Sequence, residues 1–451
     1  MPKSPDLSGW LAAALLGLAL VLGGGGSPSP LPELALELLA VLILLAWLTL
    51  PSCREQWRRV PLPARLIAGI MVALPLLQLI PLPPALWQAL PGRELQREAL
   101  ALVDLDRTWR PISLAPQRTL ASLLVLLPPM LMLAMTATLD RRGRLRLVWV
   151  VLVVAVASLL LGALQLTGGE ASPSHLYGDV RAVLTGFQAN RNSTADFLLV
   201  AVLAVPLLVR LLVERHRVPA SRLLVLGLAG GGMALFAIGL VLTGSRTGIM
   251  LLPVPLLAAA WLLRDWLPLE RKLVLRSLAG LLALGLLTLL LARNNPTIAA
   301  VIERFDFDNE LRPQLWRDAL VVVREYFPAG VGMGNFVPAL LADERLEVVR
   351  PFLPNRAHND YLELLAEAGI AGIAALCTTA WLVLREGWRA WHDPARNSAG
   401  LVGFALGGLT VFALHSVVDY PFRSLSMACL GAVCAGLLMA PRVAMDSGEI
   451  K

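Results

Sequence analysis

His358 stands in the stretch Arg356-Ala357-His358-Asn359-Asp360-Tyr361-Leu362-Glu363, where the longest polar interval of the chain runs back into apolar sequence. An imidazole with an unperturbed pKa of about 6.5 can take a proton from a hydroxyl at neutral pH. Asp360 followed by Glu363 reads as a helix N-cap with its N3 carboxylate, which sets His358 just ahead of a helix. That helix is expected to bury Leu362, Leu365, Ile370 and Ile373. Taken alone, a solvated loop histidine is the plainer reading of His358.

The other chemistry-bearing residues are mostly arginines, whose planar fork grips phosphate oxygens two at a time. Arg246 lies in Thr243-Gly244-Ser245-Arg246-Thr247-Gly248, a short turn at the mouth of an apolar run. A snorkelling interfacial arginine is its plainer reading. Asn190, Arg191 and Asn192 precede another apolar run; they can bond a sugar or a phosphate, or Asn192 or Ser193 can simply cap the helix that follows. Arg312 and Arg317 flank the start of a helix with Pro313 in its first turn, and either face an anion or pair with Asp306, Asp308 or Glu310. Arg356 is a phosphate ligand or a surface charge. His415, Asp419 and Arg423 form a second polar cluster, suited to orienting the first or to capping a helix. Gly330-Val331-Gly332-Met333-Gly334-Asn335-Phe336 is a glycine-rich turn without the preceding strand of a nucleotide fingerprint. The spacing of His and carboxylates is not read as a metal site, and no cofactor is expected.

The elements that must position these residues are membrane helices. The 451 residues are 57% hydrophobic and only 16% charged, where a soluble chain carries about a quarter charged residues. Runs such as Leu223–Leu242 and Leu145–Leu166 reach the length of about 20 residues that crosses a bilayer as a helix. Apolar residues do not alternate two by two, which excludes a β-barrel. The fold class is an all-α, polytopic bundle of twelve spans, near 9–26, 31–50, 64–81, 118–138, 145–166, 193–213, 221–243, 246–263, 272–292, 361–384, 399–418 and 424–441. The first of these is expected to be an uncleaved span, since only Lys3 precedes it and no A-x-A site follows.

The net charge of +7 does not point to nucleic acid, because the basic residues sit in alternate short loops. These loops carry Arg54, Arg58, Arg59 and Arg65; Arg141, Arg142, Arg144 and Arg146; Arg210, Arg215, Arg217 and Arg222; Arg264, Arg271, Lys272 and Arg276; and Arg385, Arg389 and Arg396. The positive-inside rule puts all of them, and both termini, in the cytoplasm. The long connections 82–117, 167–192 and 293–360 then face outward. The first holds an amphipathic segment, Glu94–Leu100, and the last a helix over Pro313–Tyr326 with Trp316, Leu320 and Val323 on one face. The lysines Lys3, Lys272 and Lys451 all fall on the cytoplasmic side, leaving the outer face only arginine; an Arg-lined cavity for a diphosphate and a simple genomic preference explain this equally well. Cys53, Cys377, Cys429 and Cys434 make no disulfide framework or CxxC site.

Between about Gly186 and Pro421 the chain resembles the O-antigen ligase-related family of membrane glycosyltransferases, which includes O-antigen ligases, O-antigen and exopolysaccharide polymerases and bacterial protein O-oligosaccharyltransferases. The resemblance is carried by Asn190-x-Asn192, Thr243-x-Ser245-Arg246, Arg312-x-x-x-Trp316, Gly330-x-Gly332-x-Gly334-Asn335-Phe336, His358-Asn359-x-Tyr361-Leu362 with Glu367-x-Gly369, and His415-Ser416-x-x-Asp419. It departs at Met250, where leucine is usual, and residues 1–180 match only as generic spans. The chain thus divides into N-terminal spans (1–180), a catalytic region (181–441) with the periplasmic loop 293–360, and a cytoplasmic tail (442–451).

The resemblance implies a multi-pass protein of the bacterial inner membrane that uses no metal and works on the periplasmic side. Its donor would be a glycan on undecaprenyl diphosphate, and its acceptor a hydroxyl of another glycan, of lipid A core or of a protein. By the same analogy Arg246, with Arg191, Arg312, Arg317 or Arg356, holds the diphosphate; Asn190 and Asn192 contact substrate; His358 deprotonates or orients the acceptor; His415 and Asp419 support it. The alternative is a transporter or lipid-linked glycan flippase. An ion-driven transporter buries carboxylates at mid-membrane, whereas these spans read as almost free of them, with Asp196 the main exception.

Overall fold

The computed structural model describes residues 6–25, 31–168, 174, 176–177, 183–216, 221–267, 311–343, 355–393 and 398–440. Helix dominates them. In chain order come α1 (Leu7–Leu22), α2 (Leu31–Thr49), α3 (Pro51–Arg58) and α4 (Leu62–Leu79). A lobe with α5 (Pro84–Trp87) and α6 (Glu94–Ala101) follows, closed at its base by the antiparallel pair β1 (Pro81–Leu82) and β2 (Arg110–Pro111). Next are α7 (Pro116–Val125), α8 (Leu127–Thr138), α9 (Arg141–Thr167), α10 (Arg191–His216), α11 (Arg222–Leu242), α12 (Arg246–Leu251) and α13 (Pro253–Leu262). The remainder is α14 (Arg312–Tyr326), α15 (Phe336–Asp343), α16 (Asp360–His392), α17 (Ala399–His415), a 3₁₀ turn (Pro421–Arg423) and α18 (Leu425–Met439).

Among the described residues, seven helical segments are long and apolar enough to cross a membrane: Leu31–Thr49, Leu62–Leu79, Pro116–Thr138, Arg141–Thr167, Arg191–Val213, Arg222–Leu242 and Asp360–His392. Four shorter apolar segments, Leu7–Leu22, Arg246–Leu262, Ala399–His415 and Leu425–Met439, accompany them. The expected span 272–292 lies outside the described residues, as do the tail 442–451, Lys3, Lys272, Lys451, Asp306, Asp308, Glu310 and parts of the loop 293–360. The expected amphipathic segment forms α6, with Leu95 exposed.

The bundle is built around α10. Of its span, 78% is buried, against 28% for Asp360–His392. A helix apolar on every side is stable only when covered on every side, and α9, α11, α13 and α17 supply that cover. One end of the bundle is tied by buried polar groups. Gln188, just ahead of α10, donates to the carbonyl of Leu20 at 3.1 Å and accepts from Ser426 Oγ at 2.6 Å. Gly23, at the end of α1, accepts from Ser424 Oγ and from the Ser426 amide. The ends of α1, α10 and α18 are thereby held together by hydrogen bonds within the protein, as a lipid-embedded backbone requires.

α16 inverts the expectation drawn from its sequence. Asn359, not Asp360, is the N-cap, its side chain accepting from the Leu362 amide at 2.9 Å. The buried face carries Asp360, Glu363, Ala366, Glu367 and Gly369, while Leu362 and Leu365 are half-buried and Ile370 and Ile373 are exposed. In a bundle whose exterior is apolar solvent, large aliphatic groups have no need of the interior, and polar groups do. The face of α14 also differs: Asp318, Ala319, Val322 and Tyr326 are buried, whereas Leu320 is exposed and Trp316 and Val323 are half-buried.

The glycine-rich turn is a clasp on α16. Gly330, Gly332 and Gly334 all have positive φ, and the turn bonds α16 through Val331 N to Ala366 O and Gly332 N to Glu367 O. Gly334 N donates to the Glu367 carboxylate at 2.8 Å, and Gln78 of α4 bonds both the Met333 amide and the Glu367 carbonyl. Below the clasp α16 breaks at Gly369 (φ 53°, ψ −139°), where a β-carbon would collide with the Pro328 carbonyl. Only glycine holds such a conformation cheaply, other residues losing about 1–3 kcal/mol. Gly369→Ala is therefore expected to lower the thermal midpoint of the detergent-solubilised protein clearly, while Gly227→Ala, with open space around its Cα, leaves it unchanged or raises it. Equal midpoints for the two variants would contradict the clasp.

Candidate active site

A continuous line of contacts runs from the turn holding Arg246 to His358. Ser245 caps α12 and donates its hydroxyl to Asn192 Oδ1 at 2.8 Å, both groups buried. Asn192 and Asp196 are four residues apart on α10 and so share a face. Asp196 meets His415 Nδ1 at 2.6 Å, with both side chains fully covered. The next turn of chain brings Asp419, whose amide donates to the His415 carbonyl at 2.9 Å, and Asp419 Oδ1 lies 2.9 Å from His358 Nδ1. Two His–Asp pairs thus sit back to back, and the Arg312 guanidinium is near enough for its charge to act on His415 and Asp419.

His358 itself is held in an uncommon backbone state, φ 48°, immediately ahead of the Asn359 cap. Its carbonyl accepts from the Trp316 indole at 3.3 Å, and its ring meets the Tyr420 ring edge-on at 4.9 Å. The imidazole is 30% exposed whereas Asp419 is 3% exposed. Burial pushes the Asp419 carboxyl up, but the hydrogen bond with His358 and the charges of His415, His358 and Arg312 outweigh it, so the group lies below the usual carboxylate range. A carboxylate has no proton to give, so Nδ1 of a neutral His358 is the donor and Nε2 carries the free lone pair. Burial holds the Tyr420 phenol up at about 12, so it remains a protonated wall beside the imidazole.

A second cluster fixes the segment from below. Arg423 is largely covered, its side chain 16% exposed, with Nη2 2.8 Å from Glu367, and Nε 3.5 Å from Glu363 and 3.6 Å from Asp360. Burial lowers the proton affinity of the guanidinium, but the three carboxylates raise it further, leaving Arg423 well above the ordinary arginine value. Asp360 also accepts from Ser416 Oγ at 3.0 Å and from the Phe422 amide. Arg356 pairs with Glu363 at 3.0 Å, and Glu363 accepts from the Ala357 amide. The spans are therefore not nearly free of carboxylates, as the sequence suggests: Asp196, Asp360, Glu363, Glu367 and Glu386 are all buried. Each sits in an end segment of its helix beside a partner, Glu386 between Arg385 and Arg389.

Of the residues singled out from sequence, the fold brings Asn192, Ser245, His358, Arg312, His415 and Asp419 into one constellation. Asn190 caps α10, its Oδ1 accepting from the Asn192 amide at 2.9 Å. Arg191 is half-buried on the first turn of α10, and Arg246 half-buried on that of α12. Arg317 is exposed on α14 and is not among the groups joined to His358. Asp196 is noted in the sequence only as a carboxylate in an apolar run, and the joining of Arg423 to Glu363 and Glu367 is a contact that motif reading leaves aside. A signal existed for Asp196, a carboxylate in an apolar run four residues after Asn192. Among the described residues no three of His, Cys, Asp and Glu are grouped as a metal site.

The O-antigen ligase family model matches residues 231–377, less than half of the chain. The match takes in Arg246, Arg312, Arg356 and His358 and supports an O-antigen ligase-related family. No curated protein matches the chain.

Removing one partner of a buried ionic cluster leaves uncompensated charge and costs about 3–5 kcal/mol. Arg423→Ala is expected to fall in that range in denaturant or thermal unfolding, whereas Arg317→Ala is neutral. An Arg423→Ala protein as stable as the parent would show that the three carboxylates do not depend on this cation.

Proposed function

We propose that the chain is a membrane glycosyltransferase of the O-antigen ligase or polymerase type, moving a glycan from undecaprenyl diphosphate to an acceptor hydroxyl. The observation that carries this reading is the joining of the Arg246 turn to the His358–Asp419 pair through Asn192, Asp196 and His415. A diphosphate needs fixed cations and an attacking hydroxyl needs a base. Here both lie on one framework, and the family match covers both.

In this reading Arg246 and Arg312, with Arg191, hold the diphosphate of the donor. Arg356, already paired with Glu363, and the exposed Arg317 serve as auxiliary cations. The acceptor oxygen attacks the anomeric carbon and gives its proton to His358 Nε2. The bond from that carbon to the diphosphate oxygen breaks, and its electron pair leaves with the lipid diphosphate. Asp419 keeps Nδ1 protonated and steadies the imidazolium that forms. Preorganised guanidinium groups stabilise the charge growing on the leaving group without a divalent ion. The glycosyl–phosphate bond already stores the driving force, so no nucleotide is required.

The site faces the periplasm of the inner membrane, with both termini cytoplasmic. Support comes from the opposite end of the bundle, where arginines and tryptophans alternate: Arg146 over Trp10, Arg210 over Trp266, Arg264 over Trp261 and Arg385 over Trp381. Basic residues mark the cytoplasmic face and tryptophan marks an interface.

General-base catalysis contributes about 10²–10⁴-fold. His358→Ala and Asp419→Asn are expected to lose transfer by that order in reconstituted vesicles, and Arg246→Ala to lose it as well. The assay supplies a lipid-diphosphate glycan with a glycan, a lipid A core or a peptide as acceptor. Full transfer by both His358→Ala and Arg246→Ala, with the proteins inserted, would sink the enzyme assignment in favour of a transporter.

A further inference from the structure

The Asp196–His415 pair is an odd thing to bury. Both side chains are fully covered, 2.6 Å apart, and His415 Nε2 makes no hydrogen bond among the described residues. A buried polar atom without a partner costs free energy, and a buried ionic pair is often replaceable by aliphatic side chains with no loss of stability. Stability alone therefore does not account for this pair. Its place in the chain of contacts does. On one side α10 carries Asn192, which holds the Ser245 cap beside Arg246. On the other, the His415 carbonyl holds the amide of Asp419, and the Asp419 carboxylate holds His358. Asp196–His415 is the side-chain bond that joins α10 to α17 in this line among the described residues, and so links the cationic turn to the base.

We infer that Asp196 and His415 are positioning residues for the transfer reaction, setting the distance and angle between the Arg246 turn and His358. The inference rests on the glycosyl-transfer reading given above. It assigns to the pair no contact with the reacting atoms. Its effect falls on the turnover of bound substrate, because a displacement of about 1 Å between reacting groups costs about 10²-fold in rate, while the separate grips on donor and acceptor persist.

The test compares four variants in vesicles with a lipid-diphosphate glycan as donor: His415→Ala, His415→Asn, the double variant Asp196→Leu/His415→Leu, and His358→Ala. Each is measured for kcat, for KM of the donor and for thermal midpoint. His415→Ala is expected to lose about 10²-fold in kcat with little change in KM. His415→Asn, whose amide reaches Asp196 from the position of Nδ1, recovers most of that loss. The double leucine variant folds with a midpoint at or above that of the parent and still turns over slowly, which a purely structural pair would not produce. Wild-type kcat in His415→Ala or in the double variant, with His358→Ala inactive, overturns this inference alone. Failure of all the His415 variants to insert also overturns it, by making the pair structural. Wild-type kcat in His358→Ala overturns the base assignment instead.

Discussion

A charged or hydrogen-bonding group inside a lipid-embedded bundle has no water to turn to, so it must find its partner within the protein. Nearly every feature around His358 follows from that constraint. Asp196 is matched by His415, Asp419 by His358, Glu363 by Arg356, and Glu367 by Arg423. Because Asp196–His415 joins α10 to α17, and Arg423 and Asp419 tie the turn after α17 to α16 and to the loop ahead of it, satisfying these groups also fixes how the segments stand. Specificity of packing, which aliphatic contact against lipid-like neighbours supplies only loosely, is thus written in ion pairs at one end of the bundle.

The same constraint explains what was legible in the sequence. Apolar runs of bilayer length pointed to a helical membrane bundle, and seven helices among the described residues are long and apolar enough to cross a membrane, since that signal is compositional and survives any tertiary context. The polar motifs also announced themselves, because Arg246 and Asp419 interrupt apolar sequence and His358 closes the longest polar interval. Facing was not legible. Ile370 and Ile373 were expected inside and lie outside, while Glu363 and Glu367 lie inside, because an apolar exterior reverses the usual preference. Asn359 took the capping role expected of Asp360, which is committed instead to Ser416 and Arg423. Pairings such as Asp196 with His415, 219 positions apart, leave no trace in local spacing.

The glycine-rich turn shows how a motif can matter without touching substrate. Its positive-φ backbone lets three amides reach α16 at Ala366 and Glu367. The clasp and the Gly369 break set the angle at which the first turns of α16 approach the 3₁₀ turn and Arg423. His358, two residues ahead of that helix, inherits its position from both. The buried carboxylates of the spans, more numerous than the sequence suggests, lie in end segments beside arginine or histidine partners. That placement suits a fixed electrostatic frame and not a mid-membrane ion path.

The central claim is that one site holds a lipid diphosphate on the Arg246 side and an acceptor hydroxyl at His358 Nε2. The most direct measurement is an electron cryomicroscopy structure with an unreactive lipid-diphosphate glycan bound. The account predicts diphosphate oxygens within hydrogen-bonding distance of Arg246 and Arg312, with the anomeric carbon open to attack from the side of His358. A diphosphate bound elsewhere, or an anomeric carbon turned away from His358 with no path for an acceptor, would contradict it.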